Sequence, residues 1–280
     1  MKTREILGLV TSSASFSAAP ADPLSSAFQA WMRDTASVVL EHIAPERYAE
    51  IEQQLAESPD ATEYDGLTLR AVVKLAASRA AVLRVKDPSR LSIVAPMYGE
   101  NTRLMPRGTA DGQYEHGEDA LRQKVAQLQW LTEGSKVSFH LFMVDDMSKP
   151  EAGQTSGQVA QAIVDEAGLA DMVTVLFLEE GVTAQSESSD LVRSALRGVG
   201  VPKNTKKAAA IYYGMAYAVT EHGLKDHFVG YIDTDLTVNA GLFGLLMEAL
   251  ASEKAQLAAG SRRLPTSVLK LGAGRNLRAN

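Results

Sequence analysis

The chain has 280 residues, 45% hydrophobic and 22% charged, an ordinary globular composition that excludes wholesale disorder, a collagen-like repeat and a coiled coil. A formal net charge of -6 argues against nucleic acid as a partner, because phosphate-backbone binding needs clustered Lys and Arg. There is no cysteine, so disulfides, thiolate metal sites and a Cys nucleophile are excluded together and any chemistry rests on oxygen and nitrogen ligands.

Residues 1–88 read as a helical N-terminal region. Met1 to Asp22 carries basic residues, a short apolar patch Ile6 to Val10 and small residues Ala18 to Ala21, a loose imitation of a secretory signal. Glu5 and the shortness of the patch favour a flexible tail instead, and a cytoplasmic location is the expectation that goes with it. From Leu24 to Ile43 the residues Phe28, Trp31, Val38, Val39 and Ile43 recur at three- and four-residue steps, which predicts an amphipathic helix ended before Pro45. A second helix is expected over Pro45 to Leu55, with Pro in its first turn and the turn-prone Ser58-Pro59-Asp60 behind it. A third runs from Leu67 to Val85, ahead of Asp87-Pro88. The Trp and Leu positions here read as core, and the region carries no chemical signal.

Residues 89–280 read differently. Short apolar, partly β-branched runs at Leu91 to Pro96, Val137 to Val144, Val173 to Leu178, Phe228 to Ile232 and Ala255 to Ala259 have the look of buried parallel strands. Helical stretches at Asp119 to Leu131, Gln158 to Ala167, Lys206 to His222 and Gly241 to Glu253 lie between or beside them. Alternating strands and helices predict an α/β fold, a mostly parallel sheet flanked by helices, with its ligand crevice at the carboxyl ends of the strands. The longest apolar run, Leu242 to Leu250, contains Glu248 and falls short of the ~20 residues of a membrane span, so no integral membrane segment is expected.

Three strand ends are acidic or polar. The first closes on Pro96-Met97-Tyr98-Gly99-Glu100, the second on Asp145-Asp146-Met147-Ser148 and the fourth on Asp233-Thr234-Asp235. Two carboxylates separated by one residue at a strand end offer oxygen ligands suited to Mg²⁺ or Mn²⁺. A cation there would hold a diphosphate and neutralise the charge that develops as it leaves. Taken alone, Asp-x-Asp serves equally well as a helix cap or a solvated turn. Lys206 and Lys207, two lysines at a helix start, have a solvated reading of the same kind. His116, His140, His222 and His227 have no metal or general-base spacing and read as surface or satisfied core residues.

Together these motifs resemble the family-2 glycosyltransferases. Leu91 to Glu100 is similar to the family's opening strand, Phe142 to Ser148 to its second strand with paired Asp and Ser, and Asn204 to Gly214 to its Gly-Lys-rich helix start. Tyr231-Ile232-Asp233-Thr234-Asp235-Leu236 resembles its Asp-x-Asp motif, and Ala259-Gly260-Ser261-Arg262-Arg263 completes the series in the family's order. Gly99 stands where the family has Asn, and Lys206 where Gly is common.

The resemblance implies a GT-A (Rossmann-like) fold over 89–280 that binds a nucleoside-diphosphate sugar, UDP- or GDP-linked, with Mg²⁺ or Mn²⁺, and passes the sugar to an acceptor it does not identify. It implies donor contacts from Pro96, Tyr98, Glu100, Asp145, Asp146, Lys207, Asp233, Thr234 and Arg262. Tyr98, Glu100 and Asp145 would face base and ribose, Asp233 the ribose or sugar, and Lys207 and Arg262 the rest of the donor. Asp235, with Asp233, would ligate the metal.

No catalytic residue is assigned. Inverting members take their general base from an Asp or Glu beyond the Gly-Ser-Arg motif, and none follows Arg263. The expectation is a shortened chain that is a catalytically weak or inactive nucleotide-sugar-binding module, or an enzyme whose acceptor is a phosphate or carboxylate that needs no base. The basic residues Arg262, Arg263, Lys270, Arg275 and Arg278 suit such an acceptor. Should a neutral hydroxyl be the acceptor, Glu179, Glu180 or Asp190, in the loop after the third strand, are the candidate bases. A remote alternative exists, because Val229 to Thr237 also resembles the first motif of haloacid-dehalogenase phosphatases, with Asp233 as nucleophile and Asp235 as acid/base. That family needs an acidic pair further along, and the 45 residues after Asp235 (280 minus 235) contain none.

Overall fold

The computed structural model describes residues 2–11, 16–106, 117–183, 190, 207–252 and 255–260. Thr3–Thr11 is a helix, α1, where a flexible tail was expected. The reason lies in Asp60, whose Oδ1 accepts the Thr3 backbone N–H at 2.9 Å and the Thr3 hydroxyl at 2.8 Å, while Ile6 and Leu7 are buried. A carboxylate on the first N–H groups of a helix satisfies donors that have no intrahelical partner. Ser26–His42 forms α2, Tyr48–Ala56 α3 behind a short 3-10 turn at Pro45–Arg47, and Tyr64–Leu83 α4. The Ser25 side chain caps α2 by accepting from the Phe28 N–H. Buried residues lie all around α4, as a helix surrounded by others requires, and it packs against α1, α2 and α3.

Ser89–Met97 (β1) begins the sheet, followed by Asn101–Leu104 (α5), Ala120–Thr132 (α6), Val137–Asp145 (β2), Ser156–Ala167 (α7), Val173–Phe177 (β3) and Leu178–Thr183 (α8). Ala208–His222 (α9), His227–Tyr231 (β4) and Phe243–Ser252 (α10) complete the described elements. The four strands pair in parallel in the order β3-β2-β1-β4, so the α/β expectation holds. Two expectations fail. Ala255 to Ala259 is irregular chain and not a strand, and Leu178, expected at the end of β3, starts α8. That helix also takes Glu179 and Glu180, placed in a loop by the sequence reading. No helix among the described residues is long and apolar enough to cross a membrane.

Two compact units result, Val85–Ala240 and Met1–Arg84 with Gly241–Asn280. Within the latter, α10 packs on α4.

Within Val85–Ala240 the core lies between the sheet and its helices. Val94, Phe142, Val144 and Leu176 of three neighbouring strands meet Ala209, Ala210, Tyr213, Ala216 and Ala218 of α9. The small residues of α9 let it approach closely. At Gly214 an added Cβ would lie 2.6 Å from Val94 Cγ1 and 2.9 Å from Val144 Cγ2. Gly214→Ala should overpack this contact and cost about 1–3 kcal/mol, seen as a lower urea midpoint at unchanged m-value; an unchanged midpoint would show that the helix has room to shift.

Histidines meet toward the amino ends of the strands. His140 and His222 lie with ring centroids 5.6 Å apart, and His222 and His227 5.9 Å apart. His140 Nε2 pairs with Thr174 Oγ1 at 2.8 Å, His227 Nε2 with Ser92 Oγ at 2.8 Å, and Arg90 Nη1 with His222 Nε2 at 3.3 Å. Each has a polar partner on a strand; His116 lies outside the described residues. Burial first, and then the His222 and Arg90 charges, lower His140 to about 4. An unfolded His titrates near ~6.5. From there down to about 4 the unfolded chain binds a proton that the native one refuses, so stability falls as pH falls. His140→Phe should flatten that slope between pH ~6.5 and ~4 in urea titrations at several pH values. An unaltered slope would place the titration elsewhere.

Candidate functional site

The chain leaves β1 on one side for β2 and β3 and returns on the other for β4. An open parallel sheet has its ligand crevice where the order reverses, outside the carboxyl ends of the strands; here that point lies between β1 and β4. Pairing of β1 with β2 runs on to Met97–Asp145, whereas pairing with β4 ends at Val94–Tyr231. Ile232 N still donates to Val94 O at 2.9 Å, and beyond it the ladder stops. Pro96 sits in this stretch. A proline in a central strand normally deletes a ladder bond, but here the ladder to β4 has already ended. Its carbonyl instead accepts the Thr234 hydroxyl at 2.7 Å. Thr234 is buried and pins the segment after β4 to β1.

Asp233 and Asp235 flank that pin. The Asp233 side chain is 40% exposed, and its Oδ1 accepts Lys207 Nζ at 2.7 Å. Asp235 is 19% exposed; its Oδ2 lies 3.3 Å from Arg103 Nη1, and its Oδ1 accepts the Thr237 N–H at 3.2 Å and the Thr237 hydroxyl at 2.6 Å. Burial alone would push the Asp235 carboxyl up. The Thr237 hydrogen bonds and the Arg103 and Lys124 charges outweigh it and hold the group below the usual carboxylate range, so it is an anion at neutral pH.

From the end of β1, Tyr98 is exposed and Gly99 has φ +65°, a left-handed conformation that glycine adopts without strain and that Asn, the residue at this place in the resembling family, also tolerates. The Glu100 N–H donates to Ser156 Oγ at 2.8 Å, and its carboxylate meets Arg103 Nε at 3.0 Å. Burial is the main cause that raises Glu100, with Arg103 opposing it.

The paired aspartates of β2 are placed otherwise than expected. Asp145 is 2% exposed and Asp146 1%. The two carboxylate oxygens of Asp145 accept backbone N–H groups, Oδ1 from Ser148 and Oδ2 from Gly157, each at 2.7 Å. Asp146 Oδ2 accepts the Lys207 N–H at 2.9 Å at the start of α9, where Lys207 has φ +78°, a non-glycine strain of about 1–3 kcal/mol that the surroundings must hold. Both aspartates therefore order the loops and helix starts around the crevice. Asp145, expected to face base or ribose, has both carboxylate oxygens engaged by backbone N–H groups.

Several residues at the site were not singled out in the sequence. Arg103 gathers Glu100, Asp235 and, at 3.6 Å, Glu118. From beneath, Lys124 of α6, 0% exposed, donates its Nζ to the Asp235 carbonyl at 2.8 Å. Burial lowers its pKa to about 8, against the opposing pull of Asp235, Glu118 and Asp233. Glu118 Oε2 accepts the Leu236 N–H at 2.9 Å and Gln127 Oε1 the Ala240 N–H at 2.8 Å.

The donor set suits a divalent cation of one kind. Among the described residues no group of three or more His, Asp or Glu side chains is arranged to hold a metal, so a closed protein cage is not what Asp233 and Asp235 offer. Mg²⁺ commonly takes one or two carboxylates and completes its shell with substrate phosphates and water, and these two carboxylates fit that arrangement. Arg103 and Lys207 now carry positive charge at the same oxygens. Lys206, Arg262 and Arg263 lie outside the described residues; Glu179 and Glu180 are exposed on α8. No protein-family model, no curated protein and no solved structure matches the chain.

Asp145→Ala should leave two buried N–H groups without acceptors, at about 1–3 kcal/mol each, and so lower the urea midpoint whether or not nucleotide is present. A variant of wild-type stability that has lost nucleotide affinity would restore the direct contact.

Proposed function

We propose that this chain is a metal-dependent glycosyltransferase that takes its sugar from a UDP- or GDP-linked donor, with the crevice between β1 and β4 as a donor site of the GT-A kind. The observation that carries the reading is the placement of Asp233 and Asp235 at the carboxyl end of β4, directly across the point where strand order reverses, with Thr234 tying them to Pro96. A divalent cation on these carboxylates would hold the diphosphate and neutralise the leaving group. Tyr98 and Glu100, at the end of β1, would meet base and ribose: one presents an aromatic face and the other a carboxylate, paired here with Arg103, that accepts hydroxyl or imide hydrogens. Lys207 brings a cation to the sugar-phosphate side. Asp145 and Asp146 enter as the residues that shape the crevice wall. Arg103 is the side chain that must give way at Asp235 when a metal ion arrives, since both seek the same oxygen.

Calorimetric titration with UDP, GDP and ADP, each with Mn²⁺ and with EDTA, tests this. One of the uridine or guanosine diphosphates should bind more tightly with Mn²⁺. Asp235→Ala should weaken that binding by about 1.5–3 kcal/mol, the loss of a charge-assisted contact. Equal affinity in Mn²⁺ and EDTA would remove the metal from the reading.

A further inference from the structure

Three side chains from the α6 region, all buried, grip one stretch of backbone. Glu118, just before the helix, accepts from Leu236 N, Lys124 donates to Asp235 O, and Gln127 accepts from Ala240 N. The stretch they hold starts at Asp235. Lys124 is the unusual member: it stands among Leu121, Val125 and Leu128, all buried on the same helix, where an apolar side chain would fill the space without the several kcal/mol that a buried ion costs. Its ammonium meets a carbonyl, not a carboxylate oxygen. Arg103 and Lys207 approach Asp235 and Asp233 on the very oxygens a metal would use, whereas Lys124 adds charge beneath the turn and leaves those oxygens open.

We infer that Lys124 is a positioning residue of the donor site: its ammonium fixes the Asp235 carbonyl and supplies counter-charge beneath the Asp233–Asp235 turn before a divalent cation arrives. The inference rests on the donor-site reading of Asp233 and Asp235. Such a residue touches neither metal nor nucleotide. It works as outer-shell partners of metal ligands do, by orienting a ligand that would otherwise have to be ordered when the ion binds.

The test uses the full chain and the uridine and guanosine diphosphates, titrated with Mn²⁺ and with EDTA. In Lys124→Met the affinity in EDTA should stay within about twofold of wild type, while the gain from Mn²⁺ falls by about 10- to 100-fold, the usual loss for an outer-shell partner. A general loss of stability would lower both affinities together and would not single out the Mn²⁺ gain. Because the chain has no cysteine, Lys124→Cys can be alkylated selectively while unfolded and then refolded. Aminoethylation restores an ammonium of nearly the lysine length and should restore the Mn²⁺ gain, and carboxamidomethylation should not; this pair carries the test if Lys124→Met does not fold. A Mn²⁺ gain that survives in Lys124→Met, or that is equal in the two alkylated forms, overturns the inference alone. No Mn²⁺ gain in the wild type overturns the donor-site reading and the inference with it.

Discussion

The hydroxyl of Thr234 on the carbonyl of Pro96 is the contact on which the arrangement of the site depends. Up to Val94 and Tyr231 the backbones of β1 and β4 hold each other through their ladder. Past that pair they diverge, and a side chain takes over the work of the ladder with one hydrogen bond of 2.7 Å. Proline makes this possible, since it offers an acceptor and no donor on the side where β4 has left.

The carboxylates at the ends of β1 and β4 are matched by cations. Glu100, Glu118, Asp233 and Asp235 share Arg103, Lys124 and Lys207. Two of these cations, Arg103 and Lys207, reach in from the exposed side, and the third is sealed beneath the backbone. On the donor-site reading proposed above, anions stabilised partly by a fixed charge and partly by replaceable ones would accept a divalent cation at little cost in rearrangement, which is the physical content of preorganisation.

Much of the scaffold was legible because its signals are local. The strands β1 to β4 are runs of apolar residues that parallel sheets bury on both faces, and the helices α6, α7 and α9 follow a periodicity that needs no knowledge of partners. What failed has a tertiary cause. The only local mark of a helix start at Thr3 is Glu5, which accepts the Lys2 N–H; the acceptor of the Thr3 N–H, Asp60, is 57 residues away. Ala255 to Ala259 has the apolar composition of a strand, yet it forms no ladder among the described residues. At the site the residue types were legible and their directions were not: Asp145 and Asp146 accept backbone N–H groups that only folding brings near. Lys124 and Gln127 did leave a trace, as polar residues on the buried side of α6. Arg103 left none.

The burial of Asp145 and Asp146 bears on how mutational data for this chain should be understood. Both sit in a motif whose spacing invites assignment as ligand contacts, yet substitution of Asp145 removes the acceptor of two buried backbone N–H groups and substitution of Asp146 that of a part-buried one. A variant that unfolds for want of such an acceptor is degraded and scarce in the cell. On the donor-site reading, a survey scored on nucleotide binding per culture would rank such variants with those at Asp235, and only a measure of folded protein would separate the two kinds.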